Sequence, residues 1–174
     1  MIGTLMGAQD RAEALAGLYE GKINDTIARV AAAGDTPKKV YVELAKKGPA
    51  EVGNSYGNGM WAGVIELVGG ANIAKGQVEN WGPLAPEYVL AEQPEVILLA
   101  GSEWLGAPEA VLVGIGADPA AAQEKMAAYL TRAGWADLPA AKSGDVHAIY
   151  HGGSRSLSDF VFARYLGNPE SRSR

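Results

Sequence analysis

A chain of 174 residues with 48% hydrophobic and 20% charged side chains is long enough to bury about two thirds of its unfolded surface, which excludes an extended disordered polymer and points to a soluble globular domain. Lys and Arg number 15 against 20 Asp and Glu, a net charge of -5 that gives no reason to approach nucleic acid or an anionic membrane, and the lack of cysteine removes disulfides, thiolate chemistry, Cys-ligated zinc and iron-sulfur clusters. No apolar run reaches the roughly 18 residues of a membrane span, so no membrane insertion is expected, and the opening Met1 to Met6 has neither the basic nor the long apolar region of an export signal.

From Ala8 to Ala33, Leu15, Leu18, Tyr19, Ile23, Ile27 and Val30 recur at spacings of three and four with polar residues between them, the pattern of one long amphipathic helix stopped by Gly34 and Pro37. At roughly 39 Å it is longer than a compact domain of this size needs. Gly17 and Gly21 inside it mark either close packing or two tolerated glycines. Val40 to Leu44 reads as a short strand, followed by a Gly/Asn loop and a helix from about Met60 to Val68. Pro86 opens a further helix that Pro94 ends, directly before the apolar strand Val96 to Leu99. A loop from Gly101 leads to a helix over about Ala120 to Arg132, then to a third strand over Asp145 to Tyr150, a loop over His151 to Ser158 and a last helix over Asp159 to Leu166.

Strands alternating with helices predict an α/β fold, a three-layer sandwich with a mainly parallel sheet and right-handed crossovers. Ligand-facing residues then collect beyond the carboxyl ends of the strands, at residues 45 to 59, 100 to 108 and 151 to 157. Those loops hold Tyr56, Trp104, His151 and Arg155.

Gly53-Asn54-Ser55-Tyr56-Gly57 matches the G-x-S-x-G elbow of α/β-hydrolases, but an elbow needs its serine directly after a strand, and the nearest expected strand ends near Leu44. The Gly-rich stretch to Gly59 offers backbone N-H groups to an anion, or is a plain helix start capped by Asn58, and it lacks the ending of a nucleotide P-loop. His147 and His151 are four apart on a strand and a loop, which does not make a helical metal pair; His147 reads as a packed strand residue, while His151 and Arg155 sit where an imidazole and a guanidinium face one ligand. Trp61 and Trp104 follow or occupy rim loops, and Trp135 reads as core.

Four segments then resemble the C-terminal lobe of the iron-siderophore, haem and cobalamin class of ABC-transporter periplasmic substrate-binding proteins. They are Met60-Trp61-Ala62-Gly63 through Glu66 to Ala74; Trp81 through Leu84-Ala85-Pro86-Glu87 to Ile97; Gly134-Trp135-Ala136-Asp137-Leu138-Pro139-Ala140 to Ile149; and Tyr150-His151 to the end. The resemblance implies a long interlobe helix over residues 1–36, a C-terminal α/β ligand-binding lobe over 37–174, and an N-terminal lobe missing upstream. It implies uptake of an iron complex or other metal-bearing small molecule, a periplasmic or extracytoplasmic location, an ABC permease as partner, and no catalysis, cofactor or resident metal. Tyr56, Trp61, Trp104, His151 and Arg155 are the implied ligand contacts, and Glu103 and Glu109 the implied permease-docking residues. An exposed helix stripe and cleft face would favour a homodimer. The rival readings are a small esterase using Ser55 and His151, and a ligand-free oligomerising remnant lobe.

Overall fold

The computed structural model describes residues 2–34 and 36–154, which fall in two separate compact units. In the first, helix α1 (Ile2–Leu5) turns into the long helix α2 (Gln9–Ala33), with the Ala8 amide donating to the Gly3 carbonyl at 2.8 Å. Glycine is needed at position 3, since a Cβ there would lie 2.4 Å from that of Ala12. Helix α2 ends as the sequence predicts: Gly34 adopts φ 66° and its amide donates back to Ala31, a left-handed cap that costs glycine nothing. None of its residues is buried, and Leu15, Leu18, Ile23 and Val30 are all exposed. The space around Gly17 and Gly21 is open, so close packing is not their role among the described residues.

The second unit is an α/β sandwich. Strands β1 (Lys39–Leu44), β3 (Ala71–Asn72), β5 (Val96–Gly101) and β6 (Val146–Tyr150) form one parallel sheet in the order β3-β1-β5-β6. Val40 to Glu43 are all buried, as expected of a central parallel strand covered on both faces. Helices α3 (Met60–Leu67), α4 (Pro86–Glu92), α5 (Pro119–Tyr129) and α6 (Pro139–Ser143) make the connections. Proline opens α4, α5 and α6 at the first turn, where its missing N-H is harmless, and Asp118 caps α5 by accepting from the Ala120 amide at 2.9 Å. Tyr41, Val89, Ile97, Leu99, Tyr129, Trp135 and Leu138 form the core, with Trp135 meeting Tyr41 edge-on at 6.1 Å between ring centroids.

Three strands depart from the expected pattern. The stretch read as a Gly/Asn loop contains strand β2 (Asn54–Tyr56), which pairs antiparallel with β4 (Trp81–Pro83), and β3 adds an edge to the main sheet. Strands this short carry no period of their own. Their pairing comes from the backbone of segments brought alongside them, β4 for β2 and β1 for β3, and the Asn72 side-chain amide adds a bond to the Tyr56 carbonyl at 2.8 Å. Helix α5 also stops at Tyr129, three residues short of expectation. The last helix expected, Asp159 to Leu166, lies outside the described residues, as does Arg155.

Candidate ligand-facing site

From β1 the chain runs through α3 to β3 on one side, then returns through α4 to β5 on the other side of β1. The direction of winding therefore reverses between β1 and β5, and in a doubly wound sheet the crevice beyond the carboxyl ends of two such strands is where a ligand fits. The loops that flank it are residues 45–53 after β1 and 102–118 after β5. Trp104 comes from the second loop and His151 from the end of β6, and their rings lie 5.9 Å apart. Tyr56, at the end of β2, stacks with His151 at 6.3 Å between ring centroids, its hydroxyl 3.4 Å from the imidazole Nδ1. On the solvent side Lys46 places its Nζ 6.0 Å from the centroid of Trp104. Lys46 is exposed, Trp104 half-buried, and Tyr56 and His151 buried, so cation and rings form a graded series from solvent into the lobe.

Beneath the rim, a buried ion pair fixes the loop after β1. Arg132, just past α5, reaches the carboxylate of Glu43 on β1 with two parallel donors, Nη1 to Oε2 at 2.6 Å and Nη2 to Oε1 at 2.8 Å. The same guanidinium donates to the carbonyls of Pro49 and Glu51, each at 2.8 Å, and lies over the rings of Tyr129 and Trp135 at 4.6 and 4.7 Å. Glu43, wholly buried, also accepts from the Tyr41 hydroxyl at 2.9 Å and the Gly53 amide at 2.8 Å. A buried charge is tolerated only when paired and hydrogen-bonded, and here both partners are. Gly53 has no room for a side chain: a Cβ would sit 2.1 Å from the Leu44 carbonyl oxygen. Loop 45–53 is thereby held directly before Tyr56. Burial, followed by the Glu43 charge, pushes the Tyr41 and Tyr129 phenols well above their ordinary value. Burial pulls the Arg132 guanidinium down, but its bonds to Glu43 outweigh that and hold it above the ordinary value.

Of the five ligand contacts expected from sequence, Tyr56, Trp104 and His151 come together in this series. Trp61 is buried on the first turn of α3. Of the expected docking residues, Glu103 is exposed beside Gly114, and Glu109 is exposed in an ion pair with Lys125 at 3.0 Å. Ser55 is no nucleophile elbow. It lies inside strand β2, paired with Gly82 and wholly buried, and its Oγ has no hydrogen-bond partner among the described residues. Asn58 does not cap α3 either; Gly59 stands at that position, and Asn58 only accepts from its amide. His147 is not packed but solvent-facing, 3.7 Å from Asp145. Among the described residues no group of three or more His, Asp or Glu is placed to hold a metal ion. Sequence reasoning missed Lys46, which reads as an ordinary solvated lysine, and the Glu43-Arg132 pair, whose one local signal is a glutamate inside an apolar strand.

The model of the periplasmic binding protein family matches residues 1–150. The chain belongs to that family. Members work outside the cytoplasm, and no described helix of this one is long and apolar enough to cross a membrane. Among solved structures, the TroA-like periplasmic binding protein FepB from Veillonella parvula is similar, at 30% identity and a TM-score of 0.86 over 99% of this chain and 51% of that one. The periplasmic haem-binding protein RhuT from Roseiflexus sp. RS-1 aligns at 22% identity and TM-score 0.61, covering 96% of this chain and 60% of its own. The ABC-type Fe3+-hydroxamate transport system from Saccharomonospora viridis aligns at 20% identity and TM-score 0.65, covering 95% and 50%. The last two likenesses speak for the fold alone. This binding protein thus spans about half the length of the structures it matches. No curated protein matches it.

Proposed function

We propose that this chain supplies the C-terminal ligand-binding half of the substrate-binding component of an ABC importer for an iron complex, such as a siderophore, haem or a related metal-bearing ligand, and that it catalyses no reaction. The observation that carries this reading is the Tyr56-His151-Trp104 series at the crevice where the sheet reverses, in a chain of the periplasmic binding protein family. Stacked rings suit flat or aromatic chelates, and a lobe that contributes one wall of a cleft needs binding groups rather than a nucleophile. Haem-binding and Fe3+-hydroxamate proteins among the similar structures agree with that ligand class. In this reading α2 is the interlobe helix, Arg155 is a further ligand contact, and Glu103 and Glu109 face an ABC permease.

Equilibrium dialysis against haem and a panel of ferric siderophores tests it. A one-walled site loses half the contacts of a micromolar cleft worth about 8 kcal/mol, so millimolar binding is expected of this chain and micromolar binding of a fusion carrying a matching N-terminal lobe. A fusion that binds none of them would refute the reading.

A further inference from the structure

Every lysine and arginine described between residues 36 and 154, with one exception, has a carboxylate within 3.8 Å. The exception is Lys46. It lies on the loop that leaves β1, and its ammonium stands over the face of Trp104, which lies on the loop that leaves β5. These are the two loops that flank the reversal of the sheet, so the one described cation of this unit without a carboxylate is at the mouth of the crevice. In a protein of net charge -5 with 20 acidic side chains, a lysine left without a carboxylate holds a positive charge free for another anion. The indole face holds the ammonium in place without neutralising it, because a ring quadrupole attracts a cation but carries no net charge.

We infer that Lys46, steadied on Trp104, reads the charge of the ligand: the site takes an anionic metal chelate, one bearing carboxylate or catecholate oxygens, in preference to a neutral hydroxamate chelate. The inference rests on the binding-protein reading above and narrows it to one ligand class. The chelate's aromatic or planar part lies along Trp104, and its anionic oxygen accepts from the Lys46 ammonium in a charge-assisted bond.

The test uses the chain as it stands with two diamagnetic probes, gallium(III) tris-catecholate, which is anionic, and a neutral gallium(III) trihydroxamate. Binding is followed by the shift of the Trp104 indole N-H resonance, assigned through Trp104→Phe, in wild type, Lys46→Gln and Lys46→Arg. The catecholate should shift that resonance and bind at least tenfold more tightly than the hydroxamate. Lys46→Gln should weaken catecholate binding about tenfold and leave the hydroxamate unchanged, Lys46→Arg should restore it, and added salt should erode the catecholate preference. Equal binding of the two probes, or catecholate binding indifferent to Lys46→Gln, overturns the charge-reading role while leaving the binding-protein reading intact. Absence of any shift with either probe at millimolar concentration overturns both.

Discussion

Replacing Arg132 by methionine tests how loop 45–53 is held. The substitution keeps most of the apolar stem but removes both donors to Glu43, those to Pro49 and Glu51, and the cation between Tyr129 and Trp135. Glu43 is then a wholly buried carboxylate with only Tyr41 and Gly53 as donors. Stranding one partner of a buried pair costs about 3 to 5 kcal/mol, which for a chain of this size lowers the melting temperature by about 10 to 15 °C. Glu43→Leu alone should cost a similar amount, because it leaves the guanidinium without its counter-charge and without the two carboxylate acceptors. The double variant Glu43→Leu with Arg132→Met should recover much of the loss, since an apolar pair of similar volume does without both desolvation penalties. Urea unfolding followed by circular dichroism gives the three values, and the double-mutant cycle gives the coupling. If Arg132→Met costs under about 1 kcal/mol, or if the single losses simply add, the ion pair does not hold the loop as argued.

Three further outcomes follow from the same structure. Because the Tyr41 and Tyr129 phenols are raised in the folded protein, their contribution is fully present below the unfolded value near 10 and is lost as pH rises above it, as the unfolded chain releases protons that the folded one retains. Stability measured by urea unfolding should fall above pH 10, and Tyr129→Phe should make that fall shallower by about 1.4 kcal/mol per pH unit; an unchanged slope would contradict the assigned cause. The exposed Leu15, Leu18, Ile23 and Val30 on α2 should drive self-association, and sedimentation should show a dimer at protein concentrations of tens of micromolar, on the order of ordinary assay conditions; a clean monomer there counts against it. Reversing charge at Glu103 and Glu109 together should impair uptake by a two-lobed fusion without changing ligand affinity, and intact uptake would show that these are the wrong residues.

Much of the fold was legible in the sequence because its signals are local. The stripe from Leu15 to Val30 sets a helix whatever surrounds it, Gly34 and Pro94 stop helices through their own backbone limits, and apolar runs at Val40 to Leu44 and Val96 to Leu99 suit strands covered on both faces. From those alternations the parallel sheet follows, and with it the loop that carries Trp104 and the strand end that carries His151, whereas Tyr56, expected in a loop, ends strand β2. What only the tertiary structure decided is which residues meet across it. Strands β2 and β4 exist because each supplies the other's hydrogen bonds, and neither two- nor three-residue pieces have a period to announce them. Glu43 in isolation reads as the polar face of a strand; it is buried because Arg132, 89 residues later, arrives with a fork of donors that fits its carboxylate. Lys46 takes its surroundings from an indole on a loop more than fifty residues away. Charge and aromatic side chains take their roles from long-range neighbours, whereas helix stripes and chain breaks take theirs from adjacent residues.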